Sequence, residues 1–163
     1  MYGSKMGYKF DELLKSNEQV YTFINKLSEL TDIIFFGGSV RDLYFDSLQA
    51  KPRDLDIVLS SIDEYKNIDN LINQFRHKKN RFGGYKVLIN GLELDIWYLK
   101  NTWAFRNSKL TTSEENLINS VYLSIDGISY NYNKQYLNDD VFIKTENNRI
   151  IDIVLDENPH EEL

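Results

Sequence analysis

Two aspartates stand two positions apart in an otherwise apolar stretch, and their side chains could hold a divalent cation. Asp54 and Asp56 alternate with Leu55, Ile57 and Leu59. On a β-strand, residues i and i+2 point to the same face, with their Cα atoms roughly 7 Å apart. Both carboxylates can then converge on one site while the apolar residues pack on the other face. Carboxylate oxygens suit Mg²⁺ or Mn²⁺, and two such ions can act on the phosphates during transfer of a nucleotide.

A third carboxylate usually completes such a site, and Asp95 is the predicted one. It lies in residues 92–97, Leu-Glu-Leu-Asp-Ile-Trp, where Glu93 and Asp95 share one face of a second predicted strand. Glu93 is the alternative ligand. If this strand lies next to the one that carries Asp54 and Asp56, the carboxylates meet.

A glycine-rich turn precedes the aspartates and could wrap a phosphate. Residues 35–42 read Phe-Phe-Gly-Gly-Ser-Val-Arg-Asp. Gly37 and Gly38 allow a sharp turn and a close approach of the backbone, and Ser39 can donate its hydroxyl. The amides that open the next helix can bind an anion. By itself, a Gly-Gly-Ser sequence is also typical of a plain turn between a strand and a helix.

Basic residues offer further contacts to phosphates. Arg41 could reach a triphosphate, or it could pair with Asp42 or Asp46. Residues 76–81, Arg-His-Lys-Lys-Asn-Arg, form a local basic run that is either a solvated turn or a contact to the nucleotide or to an acceptor phosphate. The glycines in residues 82–85, Phe-Gly-Gly-Tyr, indicate either close backbone approach to a nucleotide or a bulge.

Apolar periodicity predicts the elements that would position these residues. Strands are predicted at residues 33–36, 54–59, 85–89, 92–99, 117–125, 128–132 and 149–155. Helices are predicted at residues 10–30, 39–45 and about 65–75. The first helix could also be two short ones broken near Ser16 and Asn17. A polar turn is predicted at residues 46–52, and a loop or short helical turn at 101–106.

Turn and cap signals refine this pattern. Asn90-Gly91 is a strong signal for a two-residue hairpin, and Asp126-Gly127 is interpreted in the same way. Ser39 is predicted to cap the short second helix, and Ser60 or Ser61 the third. The aromatic residues Trp97, Tyr98, Trp103 and Phe105 are predicted to be core rather than a base-stacking surface.

Composition limits the chemistry and the organisation. The chain has 163 residues, 42% hydrophobic and 27% charged, which suits one domain with a real core. That domain is predicted at residues 1–155, with an acidic flexible tail at 156–163. Cysteine is absent and only His77 and His160 are histidines, which excludes disulfides, thiolate nucleophiles and His-rich metal sites.

Charge and hydropathy bear on partners and location. The net charge of −6 disfavours extended binding along a nucleic-acid backbone, because such binding usually needs a basic face. The sequence has no apolar run of transmembrane length and no signal-peptide core in its first ten residues. We therefore expect a cytoplasmic protein with no membrane partner.

The order and spacing of the two motifs resemble those of the polymerase-β-type nucleotidyltransferase superfamily, and within it the head domain of bacterial poly(A) polymerases and CCA-adding enzymes. That head carries Gly-Gly-x-Val-Arg-Asp, here residues 37–42, and then Asp-x-Asp, here residues 54–56. The resemblance implies an α+β fold with a mixed β-sheet flanked by helices. It also implies a Mg²⁺-dependent enzyme that binds an NTP. The implied catalytic and metal-binding residues are Asp54, Asp56 and Asp95, and the implied triphosphate-binding residues are Gly37, Gly38, Ser39 and Arg41.

Two departures from the head-domain pattern bear on nucleotide binding and on the expected activity. The family continues with Arg-Arg-Asp and then an Asn that help to hold the nucleotide. Here residues 113–119 read Ser-Glu-Glu-Asn-Leu-Ile-Asn, so Asn119 matches the Asn but the arginine pair is missing. CCA-adding enzymes also carry helical domains that bind tRNA, and no such segment follows in this sequence. A free-standing CCA-adding activity is therefore not expected.

The sequence thus predicts transfer of an NMP from an NTP, such as ATP, to a hydroxyl, with release of pyrophosphate. The acceptor stays open: an RNA 3′ end, a small molecule or a protein. A second hypothesis is a catalytically silent module that binds a nucleotide or docks a partner. A third is the catalytic half of a two-chain toxin–antitoxin or defence system, with acceptor recognition supplied by a partner protein.

Overall fold

The computed structural model describes residues 2–45 and 54–158. Its strands are β1 (Ile33–Phe36), β2 (Asp54–Leu59), β3 (Arg76–Lys79), β4 (Tyr85–Ile89), β5 (Leu92–Tyr98), β6 (Ser129–Asn131) and β7 (Tyr136–Asn138). Its α-helices are α1 (Tyr2–Lys15), α2 (Glu18–Ser28), α3 (Gly38–Tyr44), α4 (Tyr65–Ile72), α5 (Trp103–Arg106) and α6 (Asp140–Asn148). Short 3₁₀ turns lie at Leu99–Asn101, Glu115–Asn119 and Ser124–Asp126. The polar turn predicted at residues 46–52, with Asp46, lies outside the described residues.

The strands form one mixed sheet in the order β3-β4-β5-β2-β1-β6-β7. Strands β2 and β5 run parallel, and the other neighbours run antiparallel. The parallel pair is joined through α4 and the β3–β4 hairpin, since parallel neighbours need a long crossover. This is the predicted α+β architecture with a mixed sheet.

One face of the sheet is covered by helices and holds the main core. Apolar residues of α1, α2, α3, α4 and α6 pack there against the inward side chains of the strands. A smaller cluster on the other face joins Ile34 and Val58 to Leu99, Phe105 and Leu117. Helices therefore cover the side of the sheet that holds the main core, and the second side has apolar cover over part of its area.

Several predicted elements are confirmed. The first helical region is two helices, α1 and α2, separated at Ser16-Asn17, and Asn17 caps α2 by accepting from the Val20 N–H. The hairpin of β4 and β5 turns at Asn90 and Gly91, with φ of 47° and 84°. Positive φ at both central residues defines the turn that Asn-Gly favours.

Other predicted elements were wrong. The basic run is not a turn: Arg76–Lys79 is edge strand β3, paired with β4, where exposed charges protect the edge from further pairing. Residues 117–125 do not form a strand of a hairpin. They hold 3₁₀ turns, and β6 pairs with β1 and β7 instead. Residues 149–155 contribute only an isolated bridge between Ile153 and Leu123, and α6 was not predicted.

The predicted serine caps were also wrong. Helix α3 begins at Gly38 with Gly37 as its N-cap, so Ser39 lies inside the helix. Helix α4 begins at Tyr65, and Ser61 instead accepts from the Asp63 N–H in the preceding loop. A short hydroxyl can satisfy a loop amide as readily as a helix end, which explains why the residue type alone misplaced the caps.

Phe10 links α1 to the sheet, and its loss should be the costlier of two aromatic truncations in this helix. Its ring is fully buried and stacks on Phe35 at 4.3 Å and on Tyr130 at 5.3 Å between centroids. We expect Phe10→Ala to lower the free energy of unfolding by about 3–5 kcal/mol, measured by urea denaturation. Tyr8→Ala, at a side chain 68% exposed, should change it by less than about 0.5 kcal/mol. Equal effects would contradict the described packing.

Candidate active site

The parallel pairing of β2 and β5 brings the predicted carboxylates side by side. Asp54 stands opposite Glu93 and Asp56 opposite Asp95 in the register. Paired residues of neighbouring strands point to the same face, so all four carboxylates share one side of the sheet. This is the face with partial apolar cover. We call these four residues the carboxylate row.

Asp56 is the most strongly perturbed acid in the row. Its pKa is raised to about 7, and burial is the largest cause. Repulsion from the carboxylates of Asp95, Asp54 and Asp126 follows, and the Lys86 ammonium opposes the shift. Burial also raises the pKa of Asp95, again against the effect of Lys86. The site therefore concentrates negative charge that its surroundings compensate only in part.

Among the described residues, Lys86 is the cation in contact with this row. Its Nζ lies 2.7 Å from Glu93 Oε1 and 3.6 Å from Asp95 Oδ1. Sequence reasoning missed Lys86, although the signal was present. A two-residue turn at Asn90-Gly91 fixes the hairpin register and sets Lys86 opposite Asp95.

The glycine turn lies beside Asp56. Gly37 follows β1 with φ of +74°, a conformation that favours glycine. A Cβ built on Gly37 would stand 3.9 Å from Asp56 Oδ2, so the turn and the row are in contact. The Ser39 Oγ is buried and has no hydrogen-bond partner among the described residues. An unpartnered buried hydroxyl is costly, which marks this turn as a place where a polar ligand group would be stabilised.

Arg41 is held by two aspartates. Its Nη1 lies 2.7 Å from Asp126 Oδ1, and its Nε lies 3.5 Å from Asp42 Oδ1. The ion pair with Asp42 was the alternative reading of this arginine, and it is present. Asp126 was missed as a site residue because the sequence marked Asp126-Gly127 only as a turn. No sequence signal links it to Arg41, 85 positions away.

Aromatic residues border the row. Phe36 stands opposite Asp56 in the register of β1 and β2 and contacts Trp97 edge to face, with ring centroids 6.3 Å apart. The Trp97 Nε1–H donates to Thr102 Oγ1 at 3.0 Å. Tyr98 and Phe105 are buried, as predicted. Trp97 and Trp103 are half-buried at the edge of the smaller cluster.

The remaining motifs lie outside the row. Residues 82–84 lie in the turn between β3 and β4, where Asn80 Oδ1 accepts from the N–H groups of Phe82 and Gly84 at 2.9 Å each, and Tyr85 begins β4. Asn119 ends a 3₁₀ turn whose Leu117 packs in the smaller cluster. Its predicted part in nucleotide binding stays a prediction.

The chemistry of the row suits a hard divalent cation, although the side chains do not form a closed cage. Within residues 2–45 and 54–158, no group of three or more His, Asp or Glu side chains is gathered as a metal-binding cluster. Mg²⁺ commonly uses only one or two carboxylates together with phosphate oxygens and water. The oxygen ligands and the unbalanced charge at Asp56 fit such a shared site. In the same described residues, no helix is long and apolar enough to cross a membrane.

The raised pKa of Asp56 predicts a pH-dependent cost to the fold. Its ionised form destabilises the protein above pH about 7. The cost fades as the pH falls and is absent below the unfolded-state pKa of 3.8. We expect Asp56→Asn to stabilise the metal-free protein by on the order of 1–2 kcal/mol at pH 8 and by little at pH 4, measured by urea denaturation. Asp63→Asn, an exposed loop change, is the control. A destabilised Asp56→Asn at pH 8 would contradict the assignment.

Comparison of the sequence gives no relative: no protein-family model matches it, and no curated protein matches it. Comparison of the structure gives clear likenesses. A CCA-adding enzyme in complex with CTP matches with a TM-score of 0.62 and 17% identity, over 89% of this chain and 36% of the enzyme. The Thermotoga maritima CCA-adding enzyme complexed with tRNA matches with a TM-score of 0.63 and 17% identity, over 93% and 37%.

A tRNA nucleotidyltransferase complexed with a primer tRNA and an incoming ATP analogue matches with a TM-score of 0.55 and 17% identity, over 80% of this chain and 37% of that one. The protein therefore spans little more than a third of the length of these enzymes. Identities this low establish the fold alone. The chain has the polymerase-β-type nucleotidyltransferase fold seen in CCA-adding enzymes, and the predicted resemblance is confirmed.

Proposed function

We propose that this protein transfers an NMP from an NTP to a hydroxyl acceptor and releases pyrophosphate, with Mg²⁺ or Mn²⁺ as cofactor. One observation carries the proposal: the glycine turn lies directly against the carboxylate row. A Cβ added to Gly37 would lie 3.9 Å from Asp56 Oδ2, which is van der Waals contact. A triphosphate on the turn would therefore meet the carboxylates that hold its metal.

The donor nucleotide would be held by the turn and by Arg41. Gly37 and Gly38 leave the backbone open to close approach, and the buried Ser39 Oγ lacks a partner among the described residues. Arg41 is 28% exposed beside its ion pairs and can exchange a carboxylate for phosphate oxygens. A guanidinium suits that role because it donates several hydrogen bonds at once.

The metal would be held by Asp54, Asp56 and Asp95, with Glu93 as the alternative to Asp95. When bound, such ions activate the attacking hydroxyl and stabilise the leaving pyrophosphate. Burial and then repulsion from Asp95 and Asp54 raise the pKa of Asp56. A divalent cation would relieve that repulsion, which supports the proposal. Ligation would also bring that carboxylate to its ionised form.

The chain's own groups would supply orientation and proton transfer. Asp95 accepts the proton of the acceptor hydroxyl as the new O–P bond forms and the bond to pyrophosphate breaks. Arg41 compensates negative charge on the departing phosphates. The acceptor hydroxyl belongs to an RNA 3′ end, a small molecule or a protein, and a partner chain is a further candidate for presenting it.

A silent nucleotide-binding module is the second candidate. It is favoured by the missing arginine pair in residues 113–119 and by the absence of a gathered three-carboxylate cluster in the described residues. The retained like charges of Asp54 and Asp56 argue against it, because a module that only binds a nucleotide gains nothing from this repulsion. Saturable NTP binding without release of pyrophosphate would favour the silent module.

Loss of the paired aspartates should abolish turnover while the fold is kept. With a panel of radiolabelled NTPs, Mg²⁺ or Mn²⁺ and candidate acceptors, we expect pyrophosphate release and labelled product from the wild type. Asp54→Ala/Asp56→Ala should lower the rate at least about a hundredfold, since both groups act at the reacting phosphate.

Asp63→Ala, at an exposed aspartate in the loop that follows β2, is the matched control and should turn over like the wild type. Thermal unfolding of each variant establishes that it is folded. If wild type and the double variant bind metal–NTP equally poorly and neither releases pyrophosphate, the proposal is wrong.

A further inference from the structure

Lys86 belongs to the carboxylate face by its position in the sheet. In the antiparallel register of β4 and β5, Lys86 stands opposite Asp95. Asp95 in turn stands opposite Asp56 on β2. These three residues form one line across three strands on the same face, so the ammonium lies one strand away from the acids proposed to hold metal.

The Lys86 ammonium already occupies part of the acidic site. It contacts Glu93 Oε1 at 2.7 Å and Asp95 Oδ1 at 3.6 Å. In the part of the chain that the structure describes, neither carboxylate has another ion-pair partner. A single positive charge thus contacts two of the four acids in the row and offsets only part of their combined negative charge.

The Lys86 side chain is exposed and flexible enough to move away from the carboxylates. It is 58% exposed, whereas those of Glu93 and Asp95 are 41% and 33% exposed. A lysine carries its charge on a flexible four-carbon stem, and an exposed pair of this kind adds little to the stability of a fold. Lys86 can therefore swing into solvent at small cost when another cation takes its place.

We propose that Lys86 is the resident counter-ion of the carboxylate row, which holds Glu93 and Asp95 in the metal-free protein and competes with the divalent cation for Asp95. This inference rests on the proposed function in one respect, that the row binds a divalent cation. An ammonium and a divalent cation on the same carboxylate repel each other strongly. Lys86 thereby sets the metal concentration that the protein needs, as a positioning residue that acts through Asp95.

Binding of Mn²⁺ alone, without nucleotide or turnover, tests the inference. Wild type, Lys86→Met, Lys86→Arg and Lys78→Met are titrated with Mn²⁺ and followed by electron paramagnetic resonance, and thermal unfolding establishes that each is folded. Removing one positive charge beside the ion should make Lys86→Met bind Mn²⁺ about three- to tenfold tighter. Lys86→Arg keeps the charge and should bind like the wild type.

Lys78→Met is the matched control, because Lys78 stands opposite Lys86 on edge strand β3, one strand further from the acids. It should change Mn²⁺ affinity by less than about twofold, since solvent screens a more distant charge. Equal or weaker Mn²⁺ binding by Lys86→Met, or an equal gain in Lys78→Met, would overturn the inference.

Asp56→Asn separates this inference from the proposed function. If Asp56→Asn abolishes Mn²⁺ binding and Lys86→Met leaves it unchanged, the counter-ion role is wrong and the metal site stands. If neither substitution changes Mn²⁺ binding, the metal lies elsewhere and both ideas are contradicted. Loss of binding in Asp56→Asn together with a gain in Lys86→Met supports both.

Discussion

The parallel pairing of β2 with β5 is the interaction on which the rest of the site depends. It sets Asp56 beside Asp95 and Asp54 beside Glu93, a concentration of like charge that opposes folding. The apolar residues that alternate with these acids are buried in the main core, and their burial offsets the electrostatic cost. A slip of one residue would turn the acids into the core, so the register is fixed by the same alternation that creates the site.

Two kinds of compensation limit the repulsion. Lys86 offsets part of the negative charge of Glu93 and Asp95 from the next strand, and Arg41 pairs with Asp126 next to the glycine turn. Asp56 has neither cation as an ion-pair partner in the described structure, and burial, followed by repulsion from neighbouring carboxylates, raises its pKa to about 7. Proteins often accept such local instability where they bind ligands or catalyse reactions. The fold therefore stores charge repulsion that a bound cation would relieve.

The sequence predicted the parts of the fold that local pattern controls. The alternation of acidic and apolar residues in 54–59 correctly predicted which side chains lie on each face of β2. Asn90-Gly91 correctly predicted the turn and the register of the hairpin. Charge misled the prediction at Arg76–Lys79, because an edge strand needs no apolar residues on its outer side. At residues 149–155, strand-forming residue types have no strand beside them, and Ile150, Ile151 and Ile153 are exposed.

Some residues of the candidate site could be predicted from local sequence pattern, and others could not. Asp54, Asp56 and the glycine turn are recognisable from spacing, and the adjacency of Asp95 followed from assuming that its strand lies next to β2. Asp126 was not predictable, because its contact with Arg41 joins residues 85 positions apart through a 3₁₀ turn. Ser39 was predicted as a helix cap, and only the structure revealed its hydroxyl as buried and unpartnered.

A crystal structure of the protein with Mn²⁺ and a non-hydrolysable NTP would show whether the carboxylate row binds the metal beside the triphosphate. Anomalous scattering locates Mn²⁺ independently of the surrounding density. We predict Mn²⁺ bound by Asp54 and Asp56, with Asp95 as a further ligand and the triphosphate against residues 37–41. Mn²⁺ and nucleotide bound away from this face, or a carboxylate row without Mn²⁺ at saturating concentration, would contradict it.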